Sequence, residues 1–311
     1  MVRLLLLGDL HLSATGPTTP PECPNIESLD VDAIVSIGDI IDDNTDHAGD
    51  ETAGSAYERR GRAFFEQLNE VGVPVITVPG NHDPVDCTRR LANGLDNVIV
   101  AHRCAVDDLI RKQPTLEAVR FVGWGCKQFD LTPTFAYDQY PGIVPELTEV
   151  KSVTQTAAQT ANAVEAIVGR FLAGRLDSRE AAVELGVSAD RQQKCAGELT
   201  ELAEEFDEIR ELLTNKGETT ILLSHESPFH VDFDHHHSSE ALRGRLHRGS
   251  IPLKMAIAAS APDVVFSGHM HAEGRDVIET TGGYADIYNP GSPGVSFVEI
   301  ETETGSLTRV V

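Results

Sequence analysis

The sequence predicts an α/β protein with mixed sheets, on two observations. Short apolar runs recur along most of the chain, with helix-period segments between them. Many of these runs end alike, in a Gly-bounded turn carrying Asp, Asn or His.

Taken in order, buried strands are expected from Arg3 to Leu7, Ala33 to Ile37, Pro74 to Val78, Val98 to Ala101 and Arg120 to Val122. Thr220 to Leu223, Val264 to Phe266, Ala285 to Tyr288 and Gly294 to Ile300 complete the set. Helices are expected from Ala53 to Glu70 and from Pro252 to Ser260. The last strands are closely spaced, which suits antiparallel pairing and hence a mixed sheet. The middle of the chain differs. Residues 126–217 hold no clear strand. There Val164, Ile167, Val168, Phe171 and Leu172 recur at helical spacing, as do Leu199, Leu202, Phe206, Ile209, Leu212 and Leu213. Asp177 or Ser178 supplies an N-cap before Ala181. The expectation is a single domain over 1–311 with a helical insertion at 126–217, serving as a cap or an oligomerisation surface.

Composition narrows the class. Asp plus Glu number 49 against 25 Lys plus Arg, a net charge of −24, and only six of the cations are Lys. So acidic a surface repels itself unless salt screens it, which predicts a protein adapted to a high-salt cytoplasm. Unfolding in a KCl series tests this: stability should rise steeply with salt, and full stability in dilute buffer would refute it. The charge also disfavours nonspecific nucleic-acid binding. Cys23, Cys87, Cys104, Cys126 and Cys195 include no CxxC pair, so free thiols are expected rather than disulfides or a thiolate zinc site. The apolar run Leu4 to Leu7 is too short for a membrane span and has no cleavage site behind it. A soluble, cytoplasmic protein without membrane association is expected.

The chemistry lies just past the strand ends. The blocks there are GDLHL (Asp9, His11), GDIIDD (Asp39, Asp42, Asp43), PGNHDP (Asn81, His82, Asp83), SHES (His225) and GHMH (His269, His271). Ligands of open α/β sheets collect beyond the carboxyl ends of the strands, so five such tips should meet in one place. Imidazole with carboxylate suits divalent transition metals; the set is too nitrogen-rich for calcium and lacks copper's thiolate. It is also too large for one ion and matches two, ~3.5–4 Å apart.

These blocks, in this order, resemble the calcineurin-like metallophosphoesterase superfamily. The resemblance implies a four-layer αββα sandwich with a two-metal centre at the sheet edge, hydrolysing phosphate mono- or diesters with metal-activated water. By position, Asp9, His11 and His271 would hold the first metal. Asn81, His225 and His269 would hold the second, and Asp39 would bridge. His82 resembles the family's general acid and Asp42 the carboxylate that orients it. Manganese is the expected metal, with Fe, Zn, Co or Ni as alternatives. GDLHL and GNHD are also similar to Mre11-type nucleases acting on DNA. A non-catalytic scaffold is the remaining alternative, disfavoured because all seven ligands are present.

Selectivity elements are less defined. Arg243, Arg245 and His247 lie in a basic stretch after His225 and are candidate phosphate-binding residues. The run His235, His236, His237 is a weaker candidate for a third ion. Tyr137 and Tyr140 either line a substrate pocket or stack a base, or else pack the insertion onto the core. NPGS at 289–292 either borders the site or forms a plain turn. A small phosphorylated substrate or nucleotide is the expected partner, with nucleic acid less favoured.

Overall fold

The computed structural model describes residues 1–15, 30–42, 51–106, 113–128, 131, 133–144, 150–214, 219–235 and 246–311. In chain order, the first strands are β1 (Val2–Gly8) and β2 (Ala33–Ser36), followed by α1 (Glu51–Glu70), β3 (Val75–Thr77) and α2 (Val85–Ala92). Next come β4 (Val98–Val100), β5 (Cys104–Val106) and β6 (Val119–Trp124), then α3 (Val150–Leu172), α4 (Ser178–Glu184) and α5 (Gln192–Leu213). The chain closes with β7 (Thr219–Ser224), α6 (Ile251–Ser260), β8 (Val264–Phe266), β9 (Glu273–Thr280), β10 (Gly283–Pro290), β11 (Gly294–Glu301) and β12 (Ser306–Val310).

Two six-stranded sheets result, ordered β12-β11-β1-β2-β3-β4 and β5-β6-β7-β8-β10-β9. In the first, β1 to β4 run parallel and β11 is antiparallel to β1. In the second, β6, β7, β8 and β10 are parallel, with antiparallel β5 and β9 at the edges.

Period-two alternation explains the layers. Leu4 and Leu6 of β1 point between the sheets, where they pack with Val35, Phe121, Leu223 and Phe266. Leu5 and Leu7 point outward onto Phe64, Phe65 and Leu68 of α1 and Leu91 of α2. A strand buried on both faces reads as an unbroken apolar run, which is why LLLL is legible in sequence. On the second sheet, Val122, Leu222 and Val265 meet Phe206, Ile209 and Leu213 of α5 and Leu253 and Ile257 of α6. The fold is the expected αββα sandwich.

All nine expected strands are present, within a few residues at their ends. The three unforeseen ones, β5, β9 and β12, are edge strands. In β9, EGRDVIET, charged residues break the apolar pattern and Ile278 alone is fully buried, while β5 is too short, at three residues, to show one.

The helical region is tied to the sandwich more closely than an appended lobe. Its last helix, α5, supplies half of the outer layer on the second sheet, while α3 and α4 stack beyond it in their own cluster. Asp177 caps α4 in a reciprocal capping box with Glu180. Tyr137 and Tyr140 are buried in that cluster, and their hydroxyls bond His247 O and Glu198 Oε2 at 2.8 Å each. Both pack the region, and Tyr137 also lines a cavity that His269 lines. Cys87, Cys104, Cys126 and Cys195 are free thiols; Cys23 lies outside the described residues. Among the described residues, no helix is long and apolar enough to cross a membrane.

Candidate metal centre

Each donor sits just past the carboxyl end of a parallel strand. Beyond β1 and β2 the chains stay in step: Asp9 N donates to Gly38 O at 3.1 Å and His11 N to Asp39 O at 3.0 Å. This brings Asp9, His11 and Asp39 side by side. His225 comes directly after β7, and His269 and His271 come after β8. Asp9, His11, Asp39, His269 and His271 all have positive φ, five of the eight non-glycine residues that do among those described. Left-handed backbone is unfavourable for such residues, so the packing around the site must hold them there.

The donors fall into overlapping groups: Asp9, His11 and His271; His11, Asp39 and His82; Asp39, His225 and His269. Asp39 is shared by the last two. Its Oδ2 lies 3.9 Å from His11 Nε2 and 3.4 Å from His225 Nε2. His271 Nε2 is 2.9 Å from His11 Nε2 and 3.8 Å from Asp9 Oδ1. His225 Nδ1 faces Ile37 O at 2.8 Å. A carbonyl only accepts, so the proton is on Nδ1 and the Nε2 lone pair faces Asn81 Oδ1, 2.9 Å away.

The chemistry of this set fits cations. Burial, then the neighbouring Asp39, raise the Asp9 carboxyl well above its ordinary range. Burial likewise raises Asp39 and Asp83. Burial and crowding by other imidazoles lower His11 to about 3, and burial lowers His225 to about 4. Neutral imidazoles beside carboxylates that resist ionising are a donor set that a divalent ion satisfies.

His82 lies at the mouth of the centre, with Nδ1 3.3 Å from Asp42 Oδ1 and its ring edge-on to His11 at 4.8 Å between centroids. Its backbone N–H donates to Asp39 Oδ1 at 2.8 Å. His82 and Asp42 thus lie close, but no hydrogen bond joins His82 Nδ1 to a partner, and His82 also lies within ligand reach of His11 and Asp39. Asp43 lies outside the described residues.

Several supporting residues were not assigned from sequence. The buried Asp83 carboxylate accepts from Asp39 N (2.9 Å), Ile40 N (2.8 Å) and Gly80 N (2.8 Å), clamping the Asp39 and Asn81 loops together. Gly80 is required there, because a Cβ would stand 2.1 Å from Asp39 Oδ1. The NPGS turn does border the site: Asn289 Nδ2 donates to Gly268 O at 3.2 Å, and Ser292 Oγ to Asp9 O at 2.8 Å. A polar residue beside a ligand motif was the only signal in the sequence.

Of the selectivity candidates, His247 is among the described residues and lines a cavity that His269 also lines. Arg243 and Arg245 lie outside the described residues, as do His236 and His237. His247 is buried, and its Nδ1 donates to Asp234 Oδ1 at 2.6 Å. Asp234, His235 and His247 form a further donor group apart from the centre. Asp234 also accepts from His230 N at 2.7 Å and Gly249 N at 3.2 Å, so it knits this loop.

Comparisons agree with the class. Residues 2–154 match the family model of the calcineurin-like phosphoesterases. The resemblance read from the motifs is thus shown: the fold and the N-terminal part of the chain are those of calcineurin-like metallophosphoesterases. The SHES and GHMH blocks fall beyond the matched residues. One solved crystal structure is 13% identical over 99% of this chain and 98% of its own, with a TM-score of 0.52, which shows the fold alone. TT1561 of Thermus thermophilus is 15% identical over 100% of this chain and 98% of its own, at a TM-score of 0.46. The Thermus thermophilus sulfate thiohydrolase SoxB, solved with glycerol, is 16% identical; the match covers 90% of this chain and 38% of that one, at 0.35. No curated protein matches the chain.

Proposed function

We propose that the protein is a dinuclear metal-dependent phosphoesterase acting on a small phosphorylated substrate or nucleotide. The observation that carries this is the Asp39 carboxylate, common to two donor groups that together draw on five strand tips. Asp9, His11 and His271 are the residues to hold one ion, Asn81, His225 and His269 the other, and Asp39 both. Bound divalent ions, with manganese the first choice, supply Lewis acidity at phosphoryl oxygens and an acidified water.

The chain's own residues do the rest. The bond from His225 Nδ1 to Ile37 O fixes the tautomer that presents Nε2. The backbone N–H of His269 steadies the Asp9 carboxylate at 3.1 Å from each oxygen. His82, beside Asp42, gives a proton to the departing ester oxygen. His82→Ala is expected to keep both ions and to lose about 10²–10⁴-fold in kcat, the range of a general acid. Metal content by mass spectrometry beside the rate checks this; equal loss of metal would make His82 a ligand instead.

The reading itself is tested with bis-p-nitrophenyl phosphate, p-nitrophenyl phosphate and single-stranded DNA, in high KCl, with Mn, Fe, Zn, Co and Ni. Turnover of either nitrophenyl ester supports it. Cleavage of DNA alone points to a nuclease, and no turnover with any metal refutes it.

A further inference from the structure

A second cluster of imidazoles lies outside the candidate ligand set. Asp234, His235 and His247 each bring a donor atom to within 4.8 Å of the others, and they share no residue with the metal centre. An isolated antiparallel bridge pairs His235 with His247, and their rings stand side by side at 4.4 Å between centroids. His230 packs edge-on against His247 at 4.6 Å.

The donors are held in place by further partners, as metal ligands are. Asp234 is fully buried, and its Oδ2 accepts from His230 N at 2.7 Å and from Gly249 N at 3.2 Å. That leaves Oδ1 facing His247 Nδ1 at 2.6 Å. His235 Nδ1 lies 3.3 Å from Leu246 O, a group that only accepts, so Nε2 keeps the lone pair. The metal centre uses the same devices, with His269 N on the Asp9 carboxylate and Ile37 O on His225 Nδ1.

A separate observation shows that the protein's own bonds do not close this cluster. Glu165 Oε1 of α3 is buried without a hydrogen-bond partner, 3.2 Å from His230 Nδ1. Lys254 Nζ lies 3.9 Å from that oxygen, and Arg248 pairs with Asp138. Carboxylate charge is therefore balanced nearby, and what the cluster offers an ion is chiefly imidazole nitrogen.

We propose that Asp234, His235 and His247 bind a third divalent ion, of the zinc class, in a structural role. Two imidazoles and a carboxylate suit zinc, with water completing the coordination. The ion takes the place of the proton between Asp234 Oδ1 and His247 Nδ1, and the imidazole then carries its proton on Nε2. It ties residues 230–235 to residues 246–249. His247, Arg248 and Gly249 line the cavity that His269 also lines, so the ion fixes one wall of the space beside the metal centre.

The test is zinc content by mass spectrometry after equilibrium dialysis in high KCl, with excess Mg²⁺ masking surface carboxylates. Wild type is compared with His235→Ala, and Asp39→Asn with the Asp39→Asn, His235→Ala double variant. Removing His235 should cost about one equivalent of Zn²⁺ in both backgrounds. Failure of the dinuclear reading would change the totals and leave this difference intact. No loss, or a loss in one background only, overturns the proposal. His235→Gln is closer in size to the native residue and should lose the same equivalent; its retention there also overturns the proposal. Zn²⁺ should raise the Tm of Asp39→Asn and leave that of the double variant unmoved, whereas an equal rise in both counts against the site.

Discussion

Asp39→Asn is expected to abolish ester hydrolysis, by about 10⁴-fold or more, and to weaken metal binding at both positions together. The carboxylate is near-isosteric with the amide, so the loop need not move. What changes is charge and donor count. Asp39 Oδ2 faces both His11 and His225, whereas Oδ1 is already taken by His82 N. An amide keeps one oxygen and turns an N–H₂ group to the other side, which repels a cation. Loss of one ion with the other retained would remove Asp39 from its bridging role. The same carboxylate sets a pH dependence. Burial raises it to about 6, so on the acid side it holds a proton that a metal must displace. His11 and His225, lowered to about 3 and about 4, are already neutral in that range and do not compete. Affinity for Mn²⁺ should therefore climb as pH rises through about 6, and the raised Asp9 carboxyl extends the climb. Calorimetry in two buffers of different ionisation enthalpy should show proton release that diminishes as pH rises. In Asp39→Asn this part of the dependence should vanish.

Asp83→Ala carries the second large effect, on stability. Its carboxylate serves three buried backbone donors on two loops. Removing it strands all three, at about 1–3 kcal/mol for each unsatisfied group, so a loss of about 3–9 kcal/mol is expected. Asp83→Asn separates hydrogen bonding from charge. Oδ1 serves Asp39 N and Gly80 N, while Oδ2 serves Ile40 N, so the amide retains two bonds and loses one. Its cost should be about a third to a half of that of Asp83→Ala. Denaturant unfolding of the metal-free proteins in matched KCl measures both. Equal costs for the two variants would mean that charge rather than bonding holds the loops. Because the clamped loops carry Asp39 and Asn81, both variants should also bind metal more weakly.

The sequence was most legible where physics repeats itself. Strands of the sandwich interior are apolar on both faces, so β1, β2, β7 and β8 stood out without any partner in view. β9 and β12 carry charged residues that interrupt any such pattern, and β5 spans three residues. The ligands were legible because each sits in a short polar block at a strand tip, where neither core packing nor turn chemistry calls for an imidazole. Asp83 is not legible as a brace, because its partners are backbone groups up to 44 residues away.

By itself, then, the sequence determined the class: an α/β sandwich whose strand tips carry Asp, Asn and His in metallophosphoesterase order. That much is written in local periodicity and residue chemistry. Only the tertiary structure decided that Asp39 is shared between donor groups and that Asp83 and the NPGS turn brace the centre. It also decided that α5 is a layer of the sandwich, and that Asp234, His235 and His247 meet in a further donor group. Those facts depend on which distant segments pack together, and no spacing along the chain encodes that.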